Sequence, residues 1–407
     1  MKIVHIAAHL GGGVGKALST LCRLDEAGIQ RHFILLEEPR DTRYADLIRQ
    51  SGASISIAPD RARIRQLVGL ADIVQVEWWN HPRLYECLCH PDLPPARTII
   101  WSHISGLFAP LVPPGLLCAP HHFLFTSACS LDGTAVQALA PKIRAGLGVI
   151  NSGFGFGETV PPSAEEEARR AGAVAYLGTV DFSKLSPLFF DVIDRVEMDR
   201  PAAIWGGIEA EGEVARRAAG MAHPGRVIFH GQSRDPEAVF RRTGIFLYLL
   251  QPRHFGTAEN ALIEAMSLGC VPLVFDNPAE RTIVDHGVTG FVEQSVEAAA
   301  RRLDWMLRHP GTVREMGRVA ASTMAATRAA GQSAAQFLDL YRVLLGEAPR
   351  IIDYPRILGE TPLDWFLSTQ EDFVGSEDSG LDRKGSLAHF ASCFPDDLSL
   401  RGLLTPL

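Results

Sequence analysis

The chain has 407 residues, more than one hydrophobic core usually organises, so two domains are the expected arrangement. Its 46% hydrophobic and 21% charged content is that of a globular protein, not of a disordered or fibrous one. A net charge of −8 with no basic run argues against nucleic acid as a bulk partner. No apolar stretch approaches the roughly 18–20 residues of a membrane helix. The first residues enter a strand without a charged region followed by an apolar one, so no secretory leader is visible and a cytoplasmic location is expected. Seven scattered cysteines fit small core residues in a reducing compartment. The only cluster, Cys87-Leu88-Cys89-His90, lacks a second pair at zinc spacing.

In chain order, strands are expected near 2–8, 32–37, 53–58, 72–78, 98–102, 122–126 and 147–151, with helices at 15–27 and 43–51. The join is expected around 151–172, where Asn151, Ser152, Gly153, Gly155 and Gly157 make a turn and Pro161-Pro162 leads into an acidic helix, 163–171. Strands near 173–178, 202–206, 226–230, 244–249, 271–275 and 289–293 follow, with helices at 184–196, 236–242, 258–268 and 297–309. This alternation implies α/β layers on parallel sheets, with ligands beyond the carboxyl ends of the strands. The expected domains are 1–160 and 161–325, then returning helices over 326–350 and a loop-rich extension, 351–407. That extension is acidic from Glu371 to Asp382, and Lys384–Phe390 and Phe394–Asp397 read as specified structure. A structural cap, a part in acceptor recognition and self-association are its expected roles.

Four loops can carry chemistry. Gly11-Gly12-Gly13-Val14-Gly15 follows the first strand, where glycines let backbone approach a ligand and free the helix amides to face it. The dinucleotide pattern fails because Lys16 stands at the third glycine; the P-loop fails on spacing and on the missing hydroxyl residue after Lys16. Trp78, Trp79, Asn80 and His81 leave the fourth strand, and they combine aromatic faces for sugar rings with directional polar groups; a core Trp in a plain loop is the alternative. His103 follows the fifth strand. In the second half, Gly178-Thr179 leads to Lys184.

The richest segment runs from His254 to Glu280. It reads as a Gly-containing loop, a helix opening at Glu259-Asn260, a stop at Gly269 and a buried strand, Val271–Phe275. The amides of Asn260, Ala261 and Leu262 can face a phosphate. One turn on, the Glu264 carboxylate can accept from a ribose. An ordinary αβ unit, with acids at a helix start for dipole reasons, is the other reading.

Glu264-Ala265-Met266, Gly269, the Val/Pro strand, Asn277-Pro278-Ala279-Glu280 and His286–Phe291 together resemble the donor site of the retaining group 1 glycosyltransferases of GT-B fold. The resemblance implies an α/β chain of GT-B type: two Rossmann-like domains facing across a cleft, with a C-terminal extension. It implies transfer of a sugar from a UDP- or GDP-sugar to a hydroxyl of a small-molecule or glycan acceptor, with retention, no metal and no other cofactor. No Asp-x-Asp occurs in the chain, in keeping with metal independence. By the same resemblance Lys184 neutralises the diphosphate, Glu264 holds the ribose, and His103 and the Gly12-Gly13 loop touch the transferred sugar. His254 and Gly256 join the donor contacts, and Trp78, Trp79, Asn80 and His81 the acceptor contacts. Two positions depart from the pattern: Thr179 stands where an Arg is expected, and Gly256 where the first of two glutamates is expected. Arg253 or a helix N-terminus would supply the missing charge, and Glu259 the missing carboxylate. A sugar-nucleotide epimerase or hydrolase and a non-catalytic nucleotide-sugar-binding protein are the alternatives on the same frame, and an NAD-dependent dehydrogenase is the third.

Overall fold

The computed structural model describes residues 1–39, 41–157, 162–254, 256–370 and 385–404. The acidic run 371–382, Lys384 and Pro161 of the expected join lie outside these. The chain divides into two compact units, Met1–Ser152 with Phe255–Ala258 and Gly331–Leu407, and Gly153–His254 with Glu259–Ala330.

The first unit carries β1 (Lys2–Ala7), β2 (Gln30–Leu35), β3 (Ser54–Ile57), β4 (Ile73–Trp78), β5 (Thr98–Ser102), β6 (His122–Phe125) and β7 (Gly148–Val149). They form one sheet in the order β3-β2-β1-β4-β5-β6-β7, paired parallel throughout. β4 is buried at every position and β1 at all but its first. Burial of both faces is what a helix-covered parallel sheet demands. The chain winds from β1 out to β3, then returns to β4 and winds the other way. That reversal opens a crevice at the carboxyl ends of β1 and β4.

The second unit repeats this plan with β8 (Val174–Leu177), β9 (Ala202–Trp205), β10 (Val227–Gly231), β11 (Ile245–Tyr248), β12 (Val271–Phe275) and β13 (Phe291–Glu293). Its order is β10-β9-β8-β11-β12-β13, so the reversal falls between β8 and β11. Helices Pro310–Thr327 and Ala330–Leu344 fill the Ala-rich stretch; the second carries Phe337 and Tyr341 into the first unit. Among the described residues no helix is long and apolar enough to cross a membrane.

Described residues beyond 350 contribute to the first core. Tyr354, Leu358, Trp365, Phe366, Leu387, Phe390 and Leu400 are buried in the same cluster as Trp78 and Tyr85. The Trp365 ring stacks on Tyr85 at 6.1 Å, and its Nε1 donates to the Gly359 carbonyl at 2.8 Å. Trp365→Ala is therefore expected to cost about 3–5 kcal/mol, read by denaturant unfolding of the whole chain.

Candidate functional site

In the second unit, the loops at the β8/β11 reversal converge. The expected helix from residue 184 starts only at Leu188, because the chain first runs beside the end of β11. Leu185 bridges Leu250, the Ser186 N–H donates to the Leu249 carbonyl at 3.0 Å, and the Gln251 N–H donates to the Lys184 carbonyl at 2.8 Å. Lys184 is thus pinned in a loop. Its Nζ lies 3.1 Å from Glu259 Oε2 and 5.6 Å from the centre of the Tyr248 ring.

Glu259 caps helix Asn260–Ser267 in an unusual way. Its backbone is left-handed, with φ 41°, and its side chain makes no cap bond. Such a conformation in a non-glycine costs on the order of 1–3 kcal/mol and persists only where the surroundings impose it. Here it turns the buried carboxylate onto Lys184 and the Tyr248 hydroxyl, which donates to Oε2 at 2.6 Å. His254 stands 3.7 Å away through Nδ1, and its Nε2 lies 3.4 Å from Glu280. Asn277 Nδ2 donates to Glu280 Oε1 at 2.9 Å. Burial opposes the charge on Glu259, but the Lys184 and His254 charges and the Tyr248 bond outweigh it and hold the carboxyl well below its usual range. Burial likewise opposes charge on His254, yet the Glu280 bond and the Glu259 charge raise its pKa. A depressed acid and a raised histidine make a paired polar floor to this edge.

The helix start differs from expectation in one respect. The Leu262 N–H donates to the Glu259 carbonyl at 2.9 Å, so it is not an open donor. The left-handed cap draws the first turn tight, which leaves Asn260 and Ala261 as the outward amides. Asn260 Oδ1 is buried and has no hydrogen-bond partner among the described residues. Glu264 lies one turn on, 7% exposed. Thr179 is exposed on the loop after β8, and its carbonyl accepts from the Tyr176 hydroxyl at 2.7 Å. Gly256 is half-buried and groups with the first unit, apart from Glu259.

In the first unit, His103 follows β5, its N–H donating to the Trp78 carbonyl at 2.7 Å and its ring 4.6 Å from that of Trp101. Its Nε2 is 2.9 Å from Glu77 Oε2, inside β4. Glu77 is fully buried and accepts also from His5 Nδ1 at 2.8 Å and Gln75 Nε2 at 2.9 Å. Arg31 donates to His5 Nε2 at 2.8 Å, which fixes the His5 tautomer with its proton on Nδ1, and Arg31 is held by Asp25 at 2.7 Å. Tyr341 closes the network, donating to Gln75 at 2.6 Å. Burial disfavours the Glu77 charge, but the bonds from His103 and His5 win and lower its pKa; burial lowers that of His5. His103 is thereby oriented by a buried carboxylate.

The Gly-rich helix opens at Gly12, earlier than expected. Gly12 has φ +60° and open space where a side chain would be, and Gly13 is exposed beside it. The Trp78–His81 loop is the clearest correction. β4 runs through Trp78, whose ring is fully buried against Tyr85 at 4.9 Å. Asn80 is fully buried, left-handed at φ 61°, and accepts from the Tyr85 hydroxyl. His81 caps helix Pro82–Leu88, accepting the Arg83 N–H on Nδ1. With strand and helix only three residues apart, the loop forms no open wall of four side chains, and Trp78 and Asn80 fold inward. Trp78 and Asn80 therefore serve the core. Trp79 and His81 are also buried, but their rings gather at the carboxyl edge beside His9, 4.3 Å and 5.9 Å from it.

Sequence reasoning did not single out Glu77, Tyr248, Glu280, His9 or Glu37 as a set. Glu77 had a signal: an acid two residues from Gln75, within a strand otherwise apolar, needs partners when buried. Cys87, Cys89 and His90 join no metal-like group; among the described residues that spacing occurs only at His9, Glu37 and His81.

Residues 174–323 match the family model of glycosyl transferases, group 1. The fold is that of GT-B glycosyltransferases. Similar solved structures include Anabaena Alr3699/HepE in complex with UDP and glucose, with TM-score 0.66 and 14% identity over 84% of this chain and 100% of that one. A glycosyltransferase from Rickettsia africae aligns with TM-score 0.66 and 12% identity over 85% and 99% of the two chains. Sucrose-phosphate synthase from Thermosynechococcus elongatus aligns with TM-score 0.65 and 15% identity over 86% and 100%. A search of curated protein sequences finds no match.

Proposed function

We propose, from the match of residues 174–323 to the group 1 glycosyl transferases and a fold shared with GT-B enzymes, that this protein moves a sugar from a nucleotide-diphosphate sugar to a hydroxyl acceptor. The observation that carries the reading is Lys184 held beside the N-terminus of helix Asn260–Ser267 at the β8/β11 reversal. A cation and open helix amides together suit a diphosphate, whose charge grows as the glycosidic bond breaks. Lys184 would exchange its Glu259 partner for the phosphate oxygens. Glu259, set free, would orient the sugar hydroxyls, and Glu264 would accept from the ribose.

The donor would be a UDP-sugar, since the similar HepE structure holds UDP and glucose. Transfer would retain configuration, with His103 and the Gly12-Gly13 loop against the transferred sugar and no metal or other cofactor required. The leaving phosphate would take the acceptor proton. Self-association through the C-terminal residues, where Leu398 is 78% exposed, belongs to the same proposal.

The test is a thermal-shift screen of UDP-, GDP-, ADP- and TDP-sugars. A ligand that binds only the native state adds about 2.7 kcal/mol of stability at a hundredfold excess over Kd and so raises the melting point. A UDP-sugar is expected to give the largest rise. No rise with any of the four would remove the donor-site assignment.

A further inference from the structure

At the carboxyl edge of the first sheet, the reversal between β1 and β4 is flanked by His9 and His81, one following each strand. Glu37, after β2, completes the group. His81 Nε2 lies 3.4 Å and His9 Nε2 3.8 Å from Glu37 Oε1, and one ligand atom of each residue falls within 4.8 Å of the others. Crevices of this kind, outside the carboxyl ends at a change of winding direction, are where doubly wound sheets hold their ligands.

The spacing would suit a cation, but the hydrogen bonds behind the rings do not. His9 Nδ1 accepts the Gly11 N–H at 2.9 Å, and His81 Nδ1 accepts the Arg83 N–H at 3.2 Å. A neutral imidazole that accepts on Nδ1 carries its proton on Nε2. A histidine that binds metal through Nε2 needs the reverse, with Nδ1–H donating to a carbonyl or carboxylate. The two Gly11 and Arg83 amides exclude that tautomer. What converges is therefore two N–H donors and one carboxylate acceptor. Burial works against the Glu37 charge, but the hydrogen bond from His81 keeps it ionised to lower pH than usual.

The group is backed by the C-terminal segment. The His389 ring, on helix Leu387–Cys393, meets the His81 ring edge-on at 4.7 Å, and His389 Nδ1 accepts the Gly385 N–H at 3.0 Å. Gly385 has φ +75°, and a Cβ there would lie 2.4 Å from Asn80 Nδ2. Only glycine lets the segment approach the loop that carries His81.

We propose that His9, Glu37 and His81, backed by His389, form a recognition site for a hydroxyl of a polyhydroxylated ligand. A hydroxyl is the group that uses all three at once. Its oxygen accepts from the two Nε2–H groups, while its proton is donated to the carboxylate. On the glycosyl-transfer reading, on which only this role rests, the ligand is the sugar or polyol acceptor.

The experiment uses the full chain with isotope-labelled histidine, the ring signals assigned with His9→Asn and His81→Asn. D-glucose, D-galactose, D-mannose and glycerol 3-phosphate are titrated in turn, and ZnCl2 separately. At least one hydroxylated probe is expected to move both rings together and saturably. Glu37→Gln is expected to weaken that response about tenfold at an unchanged melting point, the loss of one hydrogen bond to a charged group. Rings unmoved by all four probes overturn the proposal, as does stoichiometric zinc binding that His9→Asn abolishes. Donor-induced melting shifts that Lys184→Ala abolishes report on the diphosphate site of the second unit, not on His9, Glu37 and His81. If those fail while the ring shifts stand, the transfer reading falls and the hydroxyl site remains.

Discussion

Lys184→Ala is expected to abolish the melting shift produced by the nucleotide sugar and to lower transfer by a factor on the order of 10²–10³, as when one fixed donor to a developing anion is lost. The variant also leaves Glu259 buried without its cation, 3.1 Å from where Nζ was. Breaking a buried pair in this way destabilises by itself, and Lys184 is only 22% exposed. Melting temperature should therefore fall before any ligand is added. The double variant Lys184→Ala, Glu259→Gln separates the two effects. It neutralises the orphaned carboxylate and keeps the Tyr248 contact, so stability should recover while donor binding stays absent. If the double variant recovers the donor shift as well, Lys184 does not hold the diphosphate. Titration adds a second check. Glu259 sits well below the ordinary carboxylate range, so its contribution is full above that range and lost as pH falls through the folded value. His254 is raised, so its contribution is full below about pH 6.5 and lost as pH rises through its folded value. The paired floor is thus most stable between the two.

Glu77→Leu should destabilise the first unit about as strongly as Trp365→Ala. It removes the shared acceptor of His5, Gln75 and His103 and leaves three buried donors without a partner. A loss of about 3–5 kcal/mol is expected, a fall in melting temperature on the order of 10 °C for a unit of this size. Glu77→Gln keeps the shape but turns an N–H toward one of the three donors, so it should fall between. The gap between wild type and Glu77→Gln should be full above about pH 4.3, the ordinary carboxylate value. It should close as pH drops through the lower folded value, where the wild-type carboxyl is protonated too. A gap that stays constant to acid pH would show that the charge of Glu77 contributes nothing.

How much of this could be read along the chain depends on the range over which each feature is encoded. β12 falls where expected, at Val271–Phe275, and β5 at Thr98–Ser102, because an apolar run bounded by turns is a signal only five residues long. The parallel, doubly wound plan follows from strands buried on both faces and separated by helices. Helix Asn260–Ser267 lies within the expected 258–268 for the same reason, with Gly269 as its stop. The local pattern points to Lys184 but places it at a helix start, whereas the helix begins at Leu188. The bonds that hold it out of the helix come from Leu249 and Gln251, some sixty-five residues away and invisible to a local pattern.

Residue types, periodicity and the order of turns thus determined the class of fold and the segments that reach its carboxyl edges. Tertiary structure alone decided which side chains share an edge. His5 and Glu77 are 72 positions apart yet hydrogen-bonded, because the winding reverses and sets β1 beside β4. The same reversal brings His9, Glu37 and His81 together, and it turns Trp78 from a presumed ligand face into core. A strand's pattern specifies its two faces, but its neighbours are chosen by packing over the whole sheet.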